Sequence, residues 1–232
     1  MQFDILTLHP DMCSGPMGKS ILGRAQSDGR ITVNVHDLRD WAEGKHRQVD
    51  DTPYGGGAGM VMRVDVVDRG IQAVSNPGAH VILMDPAGKP FTQADAQRLA
   101  GLPQLVLVCG HYEGIDGRVR EHLVDETLSI GDFVLTGGEL PAMVITDAVA
   151  RLLPGVLGND DSAKKESFSD GLLEAPQYTR PREYRGWMVP DVLLSGHHSN
   201  IDAWRMDQSR ELTGQVRPEL FERWTENDED PA

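Results

Sequence analysis

Three apolar runs in this chain are each cut off by a glycine-bearing loop, and that pattern admits few folds. Val81-Ile82-Leu83-Met84 ends in Asp85-Pro86-Ala87-Gly88, and Leu105-Val106-Leu107-Val108-Cys109 ends in Gly110-His111-Tyr112-Glu113-Gly114-Ile115-Asp116. A third run, Phe133-Val134-Leu135, reads as half a strand that enters Thr136-Gly137-Gly138. Apolar runs of this kind suit strands buried in a parallel sheet. Loops at the carboxyl edge of such a sheet build one pocket, where α/β proteins take their ligands. Glu139-Leu140-Pro141 then opens a helix, with an acid and a proline where the helix dipole and the missing proline N–H favour them. The paired glycines let backbone come within contact distance of a ligand or of another segment.

The common nucleotide fingerprints are absent. Gly18-Lys19-Ser20 has the end of a phosphate-binding loop, but Cys13 stands where its first glycine belongs. The Gly55 to Gly59 run has no following lysine and lacks the dinucleotide spacing.

A chain of 232 residues can form one moderate core and a small second domain. No apolar run approaches a membrane span, and the start lacks the basic region of a signal peptide, so a cytoplasmic protein is expected. Cys13 and Cys109 have no metal-site spacing and suit a reducing compartment. With 36 acidic against 22 basic residues the net charge is −14, the wrong sign for a nonspecific nucleic-acid binder. Six of those acids lie in Asp160-Asp161 and in the tail Glu226-Asn227-Asp228-Glu229-Asp230, which reads as solvated and disordered. Arg180, Arg182, Arg185, Arg205, Arg210, Arg217 and Arg223 gather near the carboxyl end and can make a local positive face.

Periodicity predicts a first strand over Phe3 to Leu8, a short helix around Ile21 to Ala25 and a half-buried strand over Ile31 to Val35. The polar, glycine-rich stretch 44–59 is loop-like, a class that includes both mobile and binding segments. Helices follow at Val64 to Val74, Thr92 to Leu99 and Leu140 to Leu153. Residues 159–174 read as a linker between a first domain, 1–158, and a second, 175–232. Beyond the linker the pattern is helical only: Ser199-Asn200 caps one helix, and Pro218 opens another. Trp187, Trp204 and Trp224 read as the core of that small domain.

GHYEGID, SIGDFVLTGGELPAM, PYGGGAGM, ESFSDGLLEAPQYTRP and VLLSGHHSNIDAWR occur in this order and resemble the bacterial tRNA (guanine-37-N1)-methyltransferases. The resemblance runs from Phe3 to about Trp224. It implies a knotted S-adenosylmethionine-dependent RNA methyltransferase: an α/β domain with a mostly parallel sheet and a deep trefoil knot, plus a small all-helical domain that holds the tRNA anticodon stem-loop. It also implies a homodimer with active sites at the interface, and it leaves Mg2+ as an open question. From the general rarity of knots, sequence reasoning alone would reject that topology.

Methylating N1 of guanine needs a base for the N1 proton, a partner for charge building on O6, and alignment of the two substrates. The resemblance puts the base at Glu166, where related chains often carry Asp, with Asp170 as its competitor, and it sets Arg151 against the guanine. Taken alone, either acid would read as a solvated linker residue, and Arg151 as a partner for a helix C-terminus. The implied donor pocket comprises Leu83, Met84, Pro86, Gly110, Tyr112, Glu113, Gly114, Ile130, Gly131, Asp132, Phe133, Val134, Leu135, Gly137, Gly138 and Pro141. Backbone groups of Ile130 to Leu135 would read the adenine edge. Asp116, Arg180, Ser195, His198 and Arg205 fall to the RNA. His111 reads as pocket rim, and His197-His198 as packing or capping groups. Two other classes also fit: an RNA-binding protein without a donor pocket, and a knotted methyltransferase acting on ribose or another base.

Overall fold

The computed structural model describes residues 1–158 and 166–229, and the chain divides into two compact units, residues 1–160 and 161–232. Residues 159–165 of the expected linker, including Asp160-Asp161, lie outside the described residues, as do 230–232 of the acidic tail.

The first unit runs β1 (Gln2–Thr7), α1 (Asp11–Met17), α2 (Ser20–Ser27), β2 (Thr32–Asp37), the two-residue strands β3 (Asp50–Asp51) and β4 (Val61–Met62), and α3 (Val64–Val74). It continues with β5 (His80–Pro90), α4 (Gln93–Ala100), β6 (Gln104–Cys109), α5 (Gly117–His122), β7 (Glu126–Ser129) and α6 (Glu139–Ala150). Five strands form one parallel sheet in the order β2-β1-β6-β5-β7, while β3 and β4 pair apart from it. Every residue of β6 is buried, as a central strand covered on both faces must be.

Alternation sorts the strands between two cores. Phe3, Ile5, Ile82, Leu105 and Leu107 pack with Cys13, Leu22, Leu99 and Ile145 on one face, from α1, α2, α4 and α6. On the other face Leu6, Leu83, Val106 and Val108 pack with Val67 of α3 and Val119 of α5. Strand β5 breaks its register between Met84 and Lys89, both of which pair with Leu128, so residues 85–88 bulge outward at the carboxyl edge. Gly88 makes the bulge fit, since a Cβ there would lie 2.6 Å from the Leu128 backbone nitrogen.

Two readings of the first unit need correction. Residues 133–135 are loop and not half a strand: β7 is Glu126–Ser129, and Phe133 and Val134 stand 53% and 84% exposed. Apolar residues there face the loop's own cavity, not a sheet. Helix α1 also went unread, because Gly15 and Pro16 argue against a helix; it forms where Cys13 and Met17 can bury.

The second unit contains β8 (Glu183–Tyr184), β9 (Trp187–Met188), α7 (His198–Val216) and α8 (Pro218–Glu229). It is therefore not all-helical. Arg185 at φ 54° and Gly186 at φ 83° make the tight turn that joins β8 to β9 antiparallel. Trp187 is 69% exposed on this hairpin, so it is no core residue. Trp224 is half-buried, stacked with Phe221 and covered by the Arg210 guanidinium. The tail expected to be disordered is helical through Glu229.

Candidate functional site

The loop that bulges out of β5 and the loops after β6 and β7 converge on a cavity of about 320 Å³ at the carboxyl edge of the sheet. It is lined by Met84 and Pro86 from the first loop, Gly110, Tyr112, Glu113 and Gly114 from the second, and Ile130, Gly131, Phe133, Val134, Leu135, Gly137, Gly138 and Pro141 from the third. Residues far apart in sequence thus face one space. Leu83 is fully buried in the α3-side core and does not line it, and Asp132 is not among its lining residues. His111, read as rim, does line it.

Close backbone packing shapes the walls. The Gly138 N–H donates to the Gly110 carbonyl at 2.9 Å, and a Cβ on Gly138 would lie 2.6 Å from Cys109 Cα. His111 Nδ1 lies 2.6 Å from the Thr136 carbonyl oxygen, a second tie between the same loops. Tyr112 is held at φ 59°, a left-handed conformation uncommon outside glycine and often seen where surroundings impose it. The glycine-rich hairpin joins the same wall: Glu113 N–H donates to Met60 O at 3.1 Å, and a Cβ on Gly59 would run into the Glu113 side chain. This contact was not legible from the composition of 44–59.

Asp116 faces a neighbouring cavity of about 480 Å³, shared with Asp51, Tyr54, Arg63 and Arg118. It caps α5, and both carboxylate oxygens take Arg118, at 2.9 and 2.7 Å. Those bonds from the Arg118 side chain hold the Asp116 carboxyl below its ordinary range. Below the cavity floor, burial first and the charge of Glu139 second push the Cys13 thiol up to about 11, and they raise Cys109 well above its usual value.

Arg151 ends α6 as its C-cap in the first unit. Glu166 and Asp170 belong to the second unit. Asp170 accepts the Leu172 N–H at 3.2 Å, with Gly171 at φ 91° completing the turn, so its carboxylate already serves the local backbone. The Glu166 carbonyl accepts the Ser169 N–H, and its side chain is half-buried. Arg180 is exposed before Pro181. Ser195 donates to the Val192 carbonyl at 2.7 Å, while His198 and Arg205 stand seven residues apart on one face of α7. Among the described residues no three metal-ligating side chains cluster, and no helix is long and apolar enough to cross a membrane.

A parallel sheet whose central and edge strands end in loops around one cavity defines an α/β protein built to hold a ligand there. The profile of the tRNA (Guanine-1)-methyltransferase TrmD family matches residues 1–223, and the chain belongs to that family. Curated relatives carry the name tRNA (guanine-N(1)-)-methyltransferase. That of Chloroflexus aggregans is 57% identical over 226 residues, 96% of this chain and 88% of the relative. That of Citrifermentans bemidjiense is 54% identical over 232 residues, covering 98% and 93%, and that of Staphylococcus epidermidis is 53% identical over 231, covering 99% and 94%. Membership of a methyltransferase family implies S-adenosylmethionine as the methyl donor.

Proposed function

We propose that this protein transfers a methyl group from S-adenosylmethionine to N1 of guanine-37 in tRNA, beside the anticodon. The observation that carries the reading is the single cavity built by three loops in a chain whose family acts on tRNA guanine. The cavity suits the donor: apolar side chains of Met84, Ile130, Phe133, Leu135 and Pro141 offer walls for an adenine, and glycine backbone offers polar groups at close range. A knotted course of the chain around these loops fits the same family.

In this reading the first unit binds the donor and the second holds the anticodon stem-loop. The target guanine flips out of its stack to reach the donor. Glu166 takes the N1 proton as N1 forms its bond to the methyl carbon and the carbon–sulfur bond breaks, leaving a neutral thioether. Arg151 meets the charge that builds on O6. Asp116, Arg180, Ser195, His198 and Arg205 contact the RNA. Two copies of the chain form the working enzyme, each site pairing one subunit's donor cavity with the other's Glu166. Exposed Leu140 and Val144, four residues apart on α6 beside the cavity, support such an apolar interface. A cytoplasmic setting follows from the tRNA substrate.

The test is methyl transfer to unmodified tRNA, with the product digested to nucleosides. 1-Methylguanosine from position 37 is expected. A ribose-methylated or other base product would overturn the reading, and binding of tRNA without donor uptake would favour a plain RNA-binding protein.

A further inference from the structure

Glu139 occupies the first position of α6, 1% exposed, directly behind the glycine turn that walls the cavity. Its Oε1 accepts the Thr7 hydroxyl at 2.6 Å, and Thr7 Oγ1 accepts the His9 backbone N–H at 2.8 Å. Its Oε2 is buried and has no hydrogen-bond partner among the described residues. An acid at a helix start is favoured by the positive end of the helix dipole. That benefit reaches a carboxylate through N–H donors, and Oε2 accepts none. A buried carboxylate oxygen left unpaired is costly, because a charge taken out of water needs a partner.

The direction of that oxygen suggests the partner. Gly137 lines the cavity, and a Cβ there would run into Oε2 on one side and lie 2.9 Å from His111 Nδ1 on the other. One glycine therefore separates the carboxylate from the cavity. The groups packed near it are uncharged or titratable: the Cys13 and Cys109 thiols, the Thr7 hydroxyl and the His111 ring. If the cavity holds S-adenosylmethionine, as proposed above, it receives a sulfonium whose charge vanishes when the methyl group leaves.

We propose that Glu139 is a counter-charge set behind the cavity wall, which favours the charged donor over its neutral-sulfur product. It touches neither reacting atom and acts through the field across Gly137. The spent donor loses that attraction as it forms, which assists exchange for a fresh one.

Calorimetry with S-adenosylmethionine, S-adenosylhomocysteine and sinefungin, an analogue with an amine in place of the methyl sulfonium, tests this. Glu139→Gln keeps the shape and removes the charge. It should weaken S-adenosylmethionine and sinefungin by about tenfold or more, the effect of a unit charge within about 12 Å at an effective dielectric of about 20. S-adenosylhomocysteine should change by less than about twofold on the same grounds. Equal loss for all three ligands, or no loss, overturns the proposal. Thr7→Val removes the hydrogen bond and keeps the charge, so the preference for the charged ligands should persist; its collapse in this variant would assign the effect to packing. The wild-type protein supplies a measurement free of any folding defect: sinefungin should bind more tightly than S-adenosylhomocysteine, and the reverse order refutes the counter-charge. Wild-type protein that binds none of the three would instead refute the donor-site reading.

Discussion

His111 and Thr136 join the two loops that face each other across the cavity, the imidazole Nδ1 lying 2.6 Å from the Thr136 carbonyl oxygen. A carbonyl only accepts, so Nδ1 carries the proton that makes this bond. The bond closes the loop after β6 onto the loop after β7.

Replacing His111 with alanine removes this tie and leaves the Gly138–Gly110 bond to hold the loops. Donor affinity should fall about threefold to tenfold, the range for one hydrogen bond, with little change in melting temperature. Calorimetric titration with S-adenosylmethionine measures it. An undiminished affinity would show that the tie is dispensable.

Gly138 should tolerate no side chain. Its backbone angles are ordinary for any residue, at φ −82°, so the constraint is space: a Cβ would sit 2.6 Å from Cys109 Cα. Gly138→Ala should cost about 1–3 kcal/mol through overpacking, and Gly138→Val should abolish donor binding. Denaturant melts and donor titration of both variants check the order.

That distinction marks where sequence reasoning stops. Two adjacent glycines announce close approach or a special backbone angle, and only coordinates separate the two. Helix α3 was legible end to end, because Val66, Val67, Gly70 and Ile71 repeat at helical spacing against one core. Phe133-Val134-Leu135 misled, since β-forming residues also line a cavity from a loop. The β8–β9 hairpin was missed because its strands are only two residues long and its turn hides in Arg185-Gly186. Of the site, the first two loops could be read from the apolar strands that precede them, and the third only from its glycines; the buried Glu139 and the Gly59–Glu113 contact could not, because both depend on packing between distant segments.

The base is tested by Glu166→Gln, which keeps size but cannot accept the N1 proton. Single-turnover methyl transfer should slow by roughly 10²–10⁴, with donor affinity preserved. Asp170→Asn should have a much smaller effect, because that carboxylate serves the Leu172 N–H. The opposite ranking would move the base to Asp170. Glu166→Asp should keep substantial activity, and the pH profile of Glu166→Gln should lose its acidic limb.

A dimer with shared sites predicts complementation. Mixing Gly138→Val subunits with Glu166→Gln subunits should give hybrid dimers with one intact site each, active although neither parent is. Leu140→Glu, placed on the exposed face of α6, should dissociate the dimer in sedimentation and abolish transfer. An active monomer would refute the arrangement.

Asp95 sets an acid limit on stability. Burial pushes its carboxyl up, but bonds from Lys89, at 2.8 Å, and from Thr92 outweigh this and bring it down to about 2. Its folded value lies below its unfolded one, so its stabilisation is present above about pH 4 and is lost as pH falls toward 2. Asp95 also completes the capping box of α4 with Thr92. Asp95→Asn should cost about 1 kcal/mol at neutral pH, and less at pH 2.5, in urea melts. An equal cost at both would remove the charge from the explanation.

Strand β7 has four residues and sits at the edge of the sheet, paired only to β5, yet the loop that hangs from it forms a whole wall of the cavity. Short edge strands fray first, and amide hydrogens there exchange through local opening. A ligand that grips residues 130–138 binds only the docked strand, so at a hundredfold excess over its dissociation constant it adds about 2.7 kcal/mol against that opening. Deuterium uptake at Glu126–Ser129 should then slow by about a hundredfold while the central strand β6 hardly changes. The donor would thus act as the missing neighbour of the sheet's weakest strand, and its cellular supply would set how long that edge stays closed.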